Sequence, residues 1–133
     1  MDISIKTGVE KYKLRDENKR VIAEFELNPG DISVIHRIQE LTQEFKSYTI
    51  PDTENTVNDV LEAEKYIESR FDYLFGYEVS KDIFKRYSPL VTLPNGFFFQ
   101  EILLTIAKIV NEGVTKRAKT IEDQVEKVMV EFE

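Results

Sequence analysis

The sequence predicts an α+β fold that is mostly helical: a small N-terminal antiparallel β-sheet of two or three strands, then amphipathic helices and a long C-terminal helix. Three observations carry this. Apolar residues alternate with period two in the first 27 positions, switch to a helical period after Asn28, and hold that period from Leu103 to Phe132. A length of 133 residues fits one domain able to bury roughly two-thirds of its unfolded surface.

Each element can be justified in order. Ile3 and Ile5 alternate with polar neighbours, as do Tyr12 and Leu14, and residues 15–20 form a polar loop. Val21, Ala23, Phe25 and Leu27 then fall on one face of the best strand, with Ile22 the exception. Residues 1–27 therefore read as a hairpin or three-stranded meander.

Residues 28–76 read as two amphipathic helices. Asn28-Pro29-Gly30-Asp31 is a start signal, with Asn28 as cap, Pro29 in the first turn and Asp31 as an early acid. The helix runs to about Tyr48 on a stripe of Val34, Ile38, Leu41, Phe45 and Tyr48, widened by Ile35, and His36 points away from it to solvent. A second helix spans about Thr56 to Phe75, with Val57, Val60, Leu61, Ile67, Phe71 and Leu74 inward and Gly76 as its stop. Asp59, Glu62, Glu64, Glu68 and Asp72 solvate its other faces rather than forming a metal site.

In residues 77–133, Ser80 caps a short helix through Ile83, Phe84 and Tyr87, which Ser88-Pro89 ends. Residues 90–95 are a connector, and Phe97-Phe98-Phe99 opens the last helix. Its apolar positions are Leu103, Ala107, Val110, Val114, Ala118, Ile121, Val125, Val128 and Phe132. Ile102, Leu104, Ile106 and Ile109 widen the stripe upstream of Gly113, whereas downstream it narrows to a coiled-coil-like seam. Glycine costs a helix about 1 kcal/mol against alanine, so a bend or break is expected at Gly113. Two arrangements are open beyond it: the stretch packs back on its own domain, or it projects as an arm that pairs with a second subunit or a client helix. The candidate partner-binding residues are Ile121, Val125, Val128 and Phe132. Phe97, Phe98 and Phe99 are secondary candidates, because three adjacent phenylalanines are better accommodated as core.

Composition narrows the chemistry. With no cysteine and His36 as the only histidine, thiol nucleophiles, zinc–thiolate sites and multi-histidine metal sites are excluded. The five glycines are scattered, so no phosphate cradle forms, and neither cofactor nor enzymatic activity is expected. The net charge is −7, and residues 28–76 carry 10 acidic and 4 basic groups, a balance of −6. Apart from Lys116-Arg117-Ala118-Lys119 no basic cluster exists, so nucleic acid is not an expected partner. No apolar run approaches the ~20 residues that span a bilayer, and the start lacks a signal-peptide pattern; a cytoplasmic protein without membrane association is expected.

The order of features is informative as a whole: a β-rich start, Phe25-Glu26-Leu27-Asn28-Pro29 leading into an acidic helix, Leu74-Phe75-Gly76, the segment Ile83-Phe84-Lys85-Arg86-Tyr87-Ser88-Pro89, an Asn95-Gly96-Phe97 start and a Lys/Arg-bearing last helix. This resembles the small tail assembly chaperones of long-tailed (siphovirus-type) bacteriophages that infect Gram-positive bacteria, over nearly the whole chain. The resemblance implies a non-enzymatic protein of the host cytoplasm, phage or prophage encoded. Such a chaperone coats the long helical tape-measure protein and keeps it soluble until tail-tube subunits polymerise around it. The family supplies no invariant functional residues to carry over. The residues agree in kind, since a holdase for helices needs apolar seams together with net charge, and self-association into a homo-oligomer is expected from the seam. Two other functions fit the same composition: a structural head–tail subunit of the virion, or an acidic regulator that binds a basic protein through residues 31–72.

Overall fold

The computed structural model describes residues 1–51 and 56–131, without the side chains of Val128 and Glu131. Its elements in order are β1 (Glu10–Arg15), β2 (Val21–Leu27), α1 (Ile32–Ser47), α2 (Val57–Phe75), α3 (Ser80–Ile83), β3 (Thr92–Leu93), β4 (Gly96–Phe97) and α4 (Phe98–Glu131). The expected α+β, mostly helical class is what is found.

β1 and β2 form an antiparallel hairpin that pairs Tyr12 with Phe25 and Leu14 with Ala23. The loop is closed by Asp16, whose Oδ1 accepts from the amides of Asn18 at 2.8 Å and Arg20 at 3.0 Å, while Lys19 takes a left-handed φ of 65°. Ala23, Phe25 and Leu27 are buried as their alternation requires. The hairpin has two strands, not three: Ile3 and Ile5 lie in no strand and are 84% and 82% exposed. Alternation alone gave them a strand, but no neighbouring edge pairs with them.

α1 starts three residues later than its signal suggested. Asn28-Pro29-Gly30-Asp31 is a turn, with the Asp31 amide donating to the Asn28 carbonyl at 3.1 Å and the Gly30 amide to Asn28 Oδ1 at 2.9 Å. Asp31, not Asn28, caps the helix, accepting from the Ser33 amide at 3.0 Å. α2 keeps its expected ends, a capping box between Thr56 and Asp59 and Gly76 in the left-handed conformation at φ 78°. Its buried stripe is Ala63, Ile67, Phe71 and Leu74; Val57 and Leu61, expected inside, are 76% and 47% exposed. Buried contact begins only at Ala63.

α1 and α2 are tied by polar side chains that spacing alone did not pair. Glu44 receives two hydrogen bonds from Arg70, at 2.7 and 2.8 Å, and one from Tyr66 at 3.2 Å. Glu40 accepts from Tyr73 at 2.8 Å, and Arg37 donates to the Leu74 carbonyl at 2.9 Å.

α3 is one turn long, shorter than expected. Ser80 donates its amide and hydroxyl to Asp72, at 2.8 and 3.1 Å, instead of capping, and Val79 occupies the cap position. Phe84 and Tyr87 follow outside any helix, yet their rings pack edge-on against Phe71 and Phe98. The connector contains a further hairpin, β3–β4, pairing Leu93 with Gly96 across Pro94-Asn95. Its flanks supply the first acceptors for α4: the Phe98 amide donates to the Val91 carbonyl at 2.8 Å and the Phe99 amide to the Pro89 carbonyl at 3.1 Å.

α4 contributes Phe98, Phe99, Ile102, Ile106 and Val110 to the core they share with α1, α2, α3 and β2. The face that packs is centred on Ile102, Ile106 and Val110, about one step round from the expected centre, and Leu103, Ala107 and Val114 are only partly buried. The helix passes through Gly113 unbroken. A Cβ there would overlap the carbonyl oxygen of Pro29, so this glycine marks where α4 crosses the Asn28–Asp31 turn at close range. Helix-propensity reasoning had marked a break where a backbone contact needed space.

Candidate partner-binding surface

Among the described residues no polar or charged side chain is buried, and no group of three or more acidic or histidine side chains is placed to hold a metal ion. No described helix is long and apolar enough to cross a membrane. What the fold presents is surface, and α4 organises it.

From Ala118 to Val130 every described side chain is exposed, so the last part of α4 projects from the body as an arm. At 1.5 Å per residue, residues 118–131 extend for about 21 Å. On this arm Ile121 is 61% exposed, Val125 53% and Met129 64%. At 100° per residue these three fall within about 80° of one another, on the side of the helix that carries Val110 and Val114. The partly buried flank of the packed face, Leu103, Ala107 and Val114, thus continues into the arm, where the described side chains are exposed. Val128 falls on the same side by position, but its side chain and all of Phe132 lie outside the described residues. Val130, 64% exposed, is on the opposite side. Of the two arrangements open from the sequence, the projecting arm is the one found.

The phenylalanine candidates behave differently. Phe98 and Phe99 are 2% and 1% exposed, held by Phe84, Tyr87 and Phe45, and Phe97 is half-buried and stacked on Phe99. As interior residues Phe98 and Phe99 offer a partner no surface, whereas Phe97 keeps part of its ring accessible. The reason is register: the helix begins at Phe98, which turns it and Phe99 inward.

Sequence reasoning missed a groove of about 400 Å³ between α1 and α4, walled by Ile38, Phe45, Leu103, Leu104 and Ala107, with Lys46 among its polar residues. Leu104 is 66% exposed there. The groove runs into the arm, since Leu104, Ala107, Val114, Ala118, Val125 and Met129 lie within about 80° of one side of α4, interrupted by Asn111 and, at the edge in line with Leu104, by Glu122. The signal was present in the widened stripe around Leu103 and Leu104, but which of those residues α1 would cover could not be told from spacing. One border of the track is acidic, with Glu122 and Glu126 along it, while Lys116 and Lys127 lie on the far side of the helix. Of the basic cluster, Arg117 is partly buried and hydrogen bonded at the root of the arm, while Lys116 and Lys119 are exposed.

Four tyrosines and one acid of the body titrate above their ordinary values. Burial and a hydrogen bond to Glu10 push Tyr12 up to about 12, opposed by the nearby Arg117 charge. Burial and the Glu44 contact raise Tyr66, the hydrogen bond to Glu40 raises Tyr73, and burial raises Tyr77. Burial, then the Glu64 and Asp72 charges, push Glu68 above the usual carboxylate range. Tyr66 packs edge-on against Phe45 of the groove wall, and the chemistry available along the track is apolar contact beside an acidic border. No protein-family model, no curated protein and no solved structure matches this chain.

Proposed function

We propose that this chain is a non-enzymatic phage tail assembly chaperone. In the host cytoplasm it binds amphipathic helices of the tape-measure protein and keeps that protein soluble until tail-tube subunits enclose it, working as a homo-oligomer. The observation that carries the reading is the apolar side of α4 that leaves the body uncovered, from the groove at Leu104 along Val125 and Met129. A helix lying along that track would bury apolar side chains on both partners, each full burial contributing about 1.5–3 kcal/mol, with the acidic border at Glu122 and Glu126 favouring a basic margin on the client. The order of sequence features shared with the tail assembly chaperones points the same way.

The test is co-expression with the tape-measure protein, comparing the wild-type chain with the Val125→Asp/Val128→Asp double variant. Wild type should hold the client in the soluble fraction, and the variant should lose it while keeping its far-UV circular dichroism. Equal client solubility with and without the chain would overturn the function. Collapse of the variant's own dichroism would show the seam to be structural.

A further inference from the structure

Three stretches of chain distant in sequence meet on one side chain. Arg117 Nη1 donates to Asn28 Oδ1 at 2.5 Å and Nη2 donates to the Gly8 carbonyl at 3.1 Å. Asn28 Nδ2 donates in turn to the Thr7 carbonyl at 3.1 Å, while its Oδ1 also accepts from the Gly30 amide. The guanidinium fills space that only glycines leave. A Cβ on Gly8 would stand 2.7 Å from Arg117 Nη1, and one on Gly30 would stand 2.6 Å from Arg117 Cδ. Gly8 moreover takes a φ of +82°, a conformation that other residues rarely adopt. Of residues 1–8 only Gly8 is not fully exposed. An arginine that merely solvates a helix has no need of a slot formed by two glycines from separate segments.

We infer that Arg117 is a latch coupling the N-terminal segment to the arm. In its slot it pins residues 7–9 to the body and fixes the first turn of the arm beyond Val114, so the two elements are ordered or released together. Arg117 acts here as a positioning residue. Coupling of this kind is reciprocal. A partner that draws in the exposed, alternating Ile3 and Ile5 changes the order of the arm, and one that engages the arm changes the order of residues 1–9. The inference concerns the chain's own conformation and stands whichever client the arm receives.

The test uses the full chain, with ¹⁵N relaxation reporting the order of residues 7–9 and amide hydrogen exchange reporting residues 118–122. Arg117→Ala should bring residues 7–9 to flexible order parameters and speed exchange at 118–122 about five- to tenfold, the scale of a lost hydrogen bond. Exchange at residues 102–110 should stay unchanged. Gly30→Ala belongs to neither coupled element, yet by displacing Arg117 it should loosen both. Adding it to Arg117→Ala should change nothing further, because the three atoms nearest the new Cβ all belong to Arg117. Loosening of only one element, additive effects in the double variant, or unfolding of the body by Arg117→Ala would each overturn the latch.

Discussion

Between Phe98 and Val114, α4 buries five large side chains, whereas between Ala118 and Val130 every described side chain on the same helix is exposed. Both halves carry the apolar repeat, so the repeat does not separate core from contact surface. Width does. Ile102, Ile106 and Ile109 broaden the first half into a face wide enough to be enclosed by α1 and the core aromatics, while the second half has only a seam. The halves also differ in what keeps them helical. An isolated helix as short as the arm is marginal in water, so the arm depends on propagation from the packed half and sits at the low end of local stability.

The largest expected effect sets one half against the other. Ile106 is fully buried, and Ile106→Asp would place an unpaired charge in the core, costing on the order of 4 kcal/mol or more, much of the total stability of a domain. Val125→Asp on the arm should change stability by less than about 0.5 kcal/mol. Urea unfolding followed by circular dichroism measures both, and similar losses would erase the distinction between the halves.

A smaller effect should reverse sign between them. Gly113→Ala gains helix propensity but meets the Pro29 carbonyl, and the overlap should leave a net loss of about 1–3 kcal/mol. Thr120→Ala on the arm meets no such obstacle and should be stabilising by roughly 0.5 kcal/mol. Thermal melts that moved the same way for both would remove the close crossing at Pro29.

The smallest effects are titrations, and they belong to the body because α4 contains no tyrosine. Tyr12, Tyr66, Tyr73 and Tyr77 are raised in the folded state, so their contribution is full below pH 10 and is lost as pH rises through the folded values, which for Tyr12 is about 12. Ultraviolet absorbance of tyrosinate should therefore rise together with loss of body structure. Glu68 is also raised, so its contribution is present below its unfolded pKa near 4.5 and is lost as pH climbs through the folded value. Glu68→Gln should raise the melting temperature slightly at pH 7, with no gain at pH 4.

What could be read from the sequence was local. Thr56 and Gly76 act through residues a few positions away, and the bounds of α2 followed from them. The β2 face and the exposed His36 needed only the period of their own element. Non-local contacts were misread in consistent ways. Gly113 was marked as a weak point because its partner, Pro29, lies 84 positions earlier in the chain. Asn28 looked like a cap because its bonds to Thr7 and Arg117 depend on the finished fold. Phe98 and Phe99 could face a client or the core until the start of α4 was fixed by the carbonyls of Pro89 and Val91. The hairpin at residues 92–97 was announced only by Pro94-Asn95-Gly96, a turn signal with too little strand around it to stand out.

The crossing at Gly113 has a mechanical consequence. It lies near the midpoint of a single helical rod, with about 23 Å of helix before it and about 27 Å after it. Before it, Phe98, Phe99, Ile102, Ile106 and Val110 clamp the helix in the core, and after it the helix runs on without a hinge. Leu103, Leu104 and Ala107, which form one wall of the groove on α1, belong to that same unbroken helix. The heading of the arm is therefore fixed by the packing that also places the groove wall.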